Sequence, residues 1–136
     1  MTVKRRIFVS LAIAIPSLIL ITAFLLSSPT MDLLQSRIDK NPDPEFSRWL
    51  QLTTADLCAS TWRPELAAPR YRTFYERYKT DLRRAHALFC YAQALEDAGR
   101  NADAIDIYRK YLAEYPDHEE KAEAEIGINR INNCRR

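Results

Sequence analysis

The sequence predicts an all-α protein, with a single N-terminal transmembrane helix followed by a short solenoid of antiparallel helix pairs and a C-terminal capping helix. Three observations carry that expectation. Residues 7–26 form an uncharged, mostly aliphatic run. Downstream of it, apolar residues recur at helical rather than alternating spacing. The chain also repeats itself: a shift of 37 residues sets Ala55 on Ala92, Ala67 on Ala104, Tyr71-Arg72 on Tyr108-Arg109, Phe74 on Tyr111 and Tyr78 on Tyr115.

The apolar run is long enough to span a bilayer, since twenty helical residues at about 1.5 Å each reach roughly 30 Å. Ser10, Pro16, Ser17 and Thr22 interrupt it, and a mid-span proline is tolerated in a membrane helix. The run ends in Ser27-Ser28-Pro29, with leucines where a cleavage site would need small residues. An uncleaved transmembrane anchor over 7–27 is therefore expected rather than a removed secretory signal. Lys4, Arg5 and Arg6 make residues 1–6 a basic cytoplasmic tail. The expected setting is a bacterial inner membrane crossed once, with the lipid bilayer held by residues 7–27 and everything after it periplasmic.

Residues 28–44 read as a juxtamembrane helix, Met31 to Lys40, and a linker, Asn41-Pro42-Asp43-Pro44. Residues 45–81 read as a diverged helix pair. Pro64 suits a first helical turn, whereas Pro69 lacks a donor and predicts a late start or a kink. One continuous helix from Pro69 to about Asp97 competes with a break near Thr80-Asp81. The break is preferred, because Asp81 can cap the helix that follows.

Residues 82–117 form the best-patterned pair. Leu88, Tyr91, Ala92 and Leu95 give the first apolar stripe, with Gly99 as a stop signal. Ala104, Ile105, Ile107, Tyr108, Tyr111, Leu112 and Tyr115 give the second, which Asn101 or Asp103 can cap and Pro116 ends. Residues 118–136 carry Ala124, Ile128 and Ile131 at helical spacing behind an acidic first turn, as a closing helix would.

On Ala92, Gly99, Ala104, Tyr108 and Pro116 this second pair resembles the tetratricopeptide repeat, a 34-residue helix-turn-helix. Leu88 stands where the family favours tryptophan, and Tyr111 where it favours alanine, which predicts a wider helix contact. Trp62 replaces the turn glycine in the earlier pair. The resemblance implies a non-enzymatic protein–protein interaction module whose first helices line a groove. His86, Phe89, Gln93, Glu96 and Asp97, opposite Leu88, Ala92 and Leu95, then become the expected partner-facing stripe. Phe89 is either its exposed anchor or packed on a neighbouring helix. Without a basic clamp, a basic or neutral partner segment is favoured.

The ending YPDHEEKAEAEIGI is similar to repeats of periplasmic members of the family in envelope assembly. An adaptor or accessory subunit that docks onto an envelope protein complex is the leading expectation. The alternative is a structural subunit of an integral membrane complex, held by its transmembrane helix through Ala12, Ala14 and Ser17. Stacked repeats support one another, so so short an array is expected to need a partner, a disulfide or further copies of itself.

Composition narrows the classes further. The net charge of +2 comes from the tail: without Lys4, Arg5 and Arg6, 17 Lys and Arg face 18 Asp and Glu. No nucleic-acid partner is expected. Residues 63–84 are base-rich and 96–125 acid-rich, which reads as solvated helix faces or as docking patches. Neither a glycine-rich phosphate loop nor a nucleophile elbow occurs, so no enzyme and no cofactor are expected. Cys58, Cys90 and Cys134 are odd in number and match no zinc spacing; they allow one disulfide or free thiols, and no metal. His86 and Cys90 lie four apart on one helix, but the sequence shows no carboxylate to orient them. Glu119, Glu120, Glu123 and Glu125 read as a solvated face.

Overall fold

A computed structural model describes residues 28–40 and 44–134, and all regular structure among them is helical. The basic tail, the expected anchor and Asn41-Pro42-Asp43 lie outside the described residues. Among the described residues no helix is long and apolar enough to cross a membrane. Six helices follow in order: α1 (Ser28–Lys40), α2 (Pro44–Ser60), α3 (Pro64–Arg77), α4 (Arg84–Asp97), α5 (Asn101–Glu114) and α6 (Lys121–Cys134). The chain divides into two compact units at Arg37/Ile38. In the first, α1 starts three residues before the expected Met31.

The second unit is a stack in which each helix packs on the next from α2 to α6. Its backbone repeats with the 37-residue period read in the sequence. In the α4–α5 turn, Arg100 N donates to Leu95 O at 2.8 Å and Gly99 N to Glu96 O at 2.9 Å. These are the paired bonds of a Schellman cap, with Gly99 at φ 74° in the left-handed region. Between α2 and α3, Arg63 N donates to Cys58 O at 3.0 Å and Trp62 N to Ala59 O at 3.2 Å. Trp62 takes φ 56° there, holding the glycine's conformation despite its Cβ.

The longer connections repeat as well. Arg84 N to Asp81 O and Ala87 N to Arg83 O return as Lys121 N to His118 O and Ala124 N to Glu120 O. The α3–α4 break falls where it was preferred, so no single helix runs from Pro69 to Asp97. Three expected details fail. Asp81 does not cap α4: the N-cap position is Arg83, which has no side-chain cap bond, and Asp81 accepts from Arg83 N at 2.9 Å in the turn before the helix. Neither Asn101 nor Asp103 caps α5, because the N-cap position is Arg100 and Asp103 instead holds the Arg100 guanidinium at 2.8 Å. Pro69 does not delay α3 either; it sits exposed inside a helix that began at Pro64.

Small residues set the helix spacing. Ala55, Ala67, Ala92, Ala104 and Ala124 are fully buried, which lets neighbouring backbones approach. Gly127 goes further: a Cβ there would lie 2.8 Å from the Tyr108 ring. The core positions Gln51, Ala55 and Cys58 of α2 correspond to Leu88, Ala92 and Leu95 of α4, and all six are buried. In α6 the same positions are Glu125, Asn129 and Asn132, all exposed. That face of α6 is polar, the composition of a closing helix in a stacked array.

Candidate protein-interaction surface

The candidate surface is built on α4, whose inner stripe Leu88, Ala92 and Leu95 is 0–1 % exposed against its neighbours. The five residues expected to face a partner meet three different fates. Phe89 is only 6 % exposed, with ring centroids 6.0 Å from Tyr108 and 5.7 Å from Tyr111. It is a core residue, and the exposed-anchor reading is corrected. The reason is the bulk of Tyr111: where a small residue would leave the flank of α4 bare, the tyrosine reaches across and covers it. Leu52, one period earlier and also buried, carried that signal in the sequence.

His86 and Glu96 remain on the surface but are tied down by the C-terminal segment. His86 Nδ1 pairs with Glu120 Oε1, and Glu120 also reaches Tyr111 Oη at 3.4 Å and His118 Nδ1 at 3.5 Å. Glu120 is thus the hub of a side-chain network, not part of a solvated acidic face. Glu96 accepts from Arg130 Nε at 2.6 Å and Nη2 at 2.8 Å, and from Tyr108 Oη at 3.0 Å. Burial pushes the Glu96 carboxyl up, but the hydrogen bonds from Arg130 and Tyr108 outweigh it and hold the group below the usual carboxylate range. Gln93 and Asp97 are exposed.

The 37-residue register extends this surface across the stack. It places Asp56 on α2, Gln93 on α4 and Arg130 on α6 in one row, and Ser60, Asp97 and Cys134 in the next. Asp56 accepts the Tyr71 hydroxyl at 2.7 Å. Asp56, Glu96 and Asp97 outnumber Arg130 here, so the surface is acidic. The part played by α6 was not visible in the single-helix reading, although the period itself would have supplied Arg130.

The three cysteines are free thiols. Cys58 is buried at the place of Leu95 and acts as a small core residue; burial pushes its thiol up. Cys90 Sγ lies 3.4 Å from His86 Nε2, and Glu120 is the carboxylate the sequence did not show. The line Cys90–His86–Glu120 nevertheless holds no activated nucleophile. Burial, with the charges of Glu120 and Asp56, pushes the Cys90 thiol up to about 12, so the thiol keeps its proton at neutral pH. Cys134 is exposed at the end of α6. Among the described residues no group of three or more His, Cys, Asp or Glu could hold a metal ion.

Residues 85–124 match the family model of the tetratricopeptide repeat. The match covers all but the first residue of α4, the whole of α5 and the start of α6, so this stretch is similar to a tetratricopeptide repeat. The chain's own period of 37 exceeds the family's 34. No curated protein matches the chain.

Proposed function

We propose that the chain is a non-enzymatic adaptor or accessory subunit, anchored in a bacterial inner membrane by residues 7–27 and docking onto an envelope protein complex through its helix pairs. The observation that carries the reading is the stretch at 85–124 similar to a tetratricopeptide repeat, presenting an exposed polar row around Gln93 and Asp97. The acidity of that row favours a basic or neutral partner segment. The anchor rests on the uncharged run 7–26 behind Lys4-Arg5-Arg6, which supports a cytoplasmic N-terminus and a periplasmic repeat domain.

The test is a mild-detergent pull-down from membranes with three full-length forms. These are the native chain, a chain with an unrelated anchor in place of residues 7–27, and a Gln93→Arg/Asp97→Arg variant. The native and anchor-swapped chains should recover the same partner, and the double variant, which alters only exposed side chains, should lose it. Loss on swapping the anchor alone would transfer recognition to the membrane helix and make the chain a structural subunit.

A further inference from the structure

The Arg130–Glu96 pair crosses the surface proposed for the partner, and the stacking of the helices does not require it. One period earlier its two positions are Gln93 and Ala59, which cannot form an ion pair, yet α4 packs on α3 as α6 packs on α5. The tyrosine–acid bond beside the pair does recur, as Tyr71 to Asp56 and Tyr108 to Glu96. Packing holds α6 instead: Ala124 and Ile131 are 0–2 % exposed, and Gly127 lies against the Tyr108 ring. The Arg130 side chain is 56 % exposed and that of Glu96 only 14 %. A pair with its cation largely in water contributes little to stability, so another cation can take that place at small cost.

Resting on the reading of the Gln93 row as the docking surface, we infer that Arg130 is an internal stand-in for an arginine of the partner: it closes Glu96 in the free chain, and the partner's guanidinium displaces it. Two features identify the incoming group. Arg130 donates from Nε to one Glu96 oxygen at 2.6 Å and from Nη2 to the other at 2.8 Å. A second guanidinium reproduces that fork, whereas an ammonium does not. Arg130 is also the only cation among the described residues of the two rows, Asp56, Gln93 and Arg130, then Ser60, Asp97 and Cys134. A basic segment laid along them meets like charge at Arg130 alone, and pairs with Glu96 once Arg130 leaves. The exposed Asp97 carboxylate, whose charge already acts on Arg130, can receive the displaced side chain. Only the fraction of molecules with Glu96 open binds, which lowers the apparent affinity of the native chain.

Fluorescence anisotropy of the full-length chain in non-ionic detergent at low salt tests the inference, with a fluorescein-labelled pentapeptide of alternating glycine and arginine as the probe. Arg130→Gln should bind the probe about fivefold more tightly than the native chain, with unchanged helical circular dichroism. Arg130→Lys, which keeps the charge and loses the fork, should show part of that gain, and a lysine version of the probe should gain less. Glu96→Gln added to Arg130→Gln should abolish the gain. Arg109→Gln, which removes the same charge at an exposed site on α5, should leave the affinity unchanged. Equal or weaker binding by Arg130→Gln overturns the inference and leaves Arg130 as a fastener of α6. A gain that survives Glu96→Gln, or that Arg109→Gln matches, overturns it as well. Failure of the docking row reads differently: the native chain would then bind the probe no better than Gln93→Arg/Asp97→Arg, and the inference would fall with the reading beneath it.

Discussion

Gly127 shows how one missing methyl group can set a helix contact. Alanine at this mid-helix position would gain about 1 kcal/mol in helix propensity. The new Cβ, however, would meet the Tyr108 ring at 2.8 Å. That ring has little room to yield: Tyr108 is 1 % exposed, packs on Phe89, and donates its hydroxyl to Glu96. Overpacking of this kind costs about 1–3 kcal/mol, so Gly127→Ala should destabilise the protein by up to about 2 kcal/mol, read as a lower urea midpoint at constant m-value. A midpoint equal to or above that of the native chain would show that the tyrosine swings aside. The equivalent site on α4 is Cys90, beside Tyr71, so the earlier interface already accommodates a larger residue.

At the scale of elements, the helices were legible because each is bounded by a local physical signal. Gly99, Pro64 and Pro116 stand where the backbone stops or starts, and the apolar spacing between them fixes which side is buried. Trp62 and Pro69 mislead for the opposite reason: the packing of Ala67, Tyr71 and Phe74 overrides local preference and holds the diverged pair in the geometry of its neighbour. The candidate site was less legible. Which side Phe89 faces depends on Tyr111, a helix away, and Glu120 and Arg130 reach α4 only because α6 folds back, which spacing within α4 cannot reveal. Pro69 gives the element-scale test. It is exposed, it has no N–H to offer the Glu65 carbonyl, and its place in α5 is taken by Asp106. The Arg70 guanidinium bonds the neighbouring Leu66 carbonyl at 2.6 Å. Pro69→Ala restores a donor without removing a buried group, and should stabilise the protein by roughly 1–3 kcal/mol. Slower amide exchange along α3 and a higher melting temperature would accompany it; an unchanged melting temperature would mean that the proline stiffens the unfolded chain as much as it weakens the helix.

For the molecule as a whole, the stack is tied together by tyrosine hydroxyls meeting acids. Tyr71 meets Asp56, Tyr108 meets Glu96, Tyr75 donates to Glu114 at 2.7 and 2.9 Å between the two pairs, and Tyr111 lies 2.8 Å from His118 Nδ1 with Glu120 further off at 3.4 Å. Burial is the first cause that raises the pKa of all four, that of Tyr75 to about 12; the neighbouring carboxylates add to it, for Tyr71 after Cys90. A group whose folded pKa lies above its unfolded value of about 10 contributes stability that is complete below pH 10 and is lost as pH rises through the folded value. The acid side has the opposite sign: Glu96 and Asp81, held low chiefly by Arg130 and Arg83, contribute above about pH 4 and lose that contribution as the pH falls. The melting temperature should therefore hold between these limits and fall steeply above about pH 10. Because the four phenols sit in successive interfaces, helix loss and the appearance of their phenolate absorbance should coincide in one transition. Four phenolates ionising near pH 10 with the helical signal intact would show that the hydroxyl–carboxylate contacts do not hold the stack.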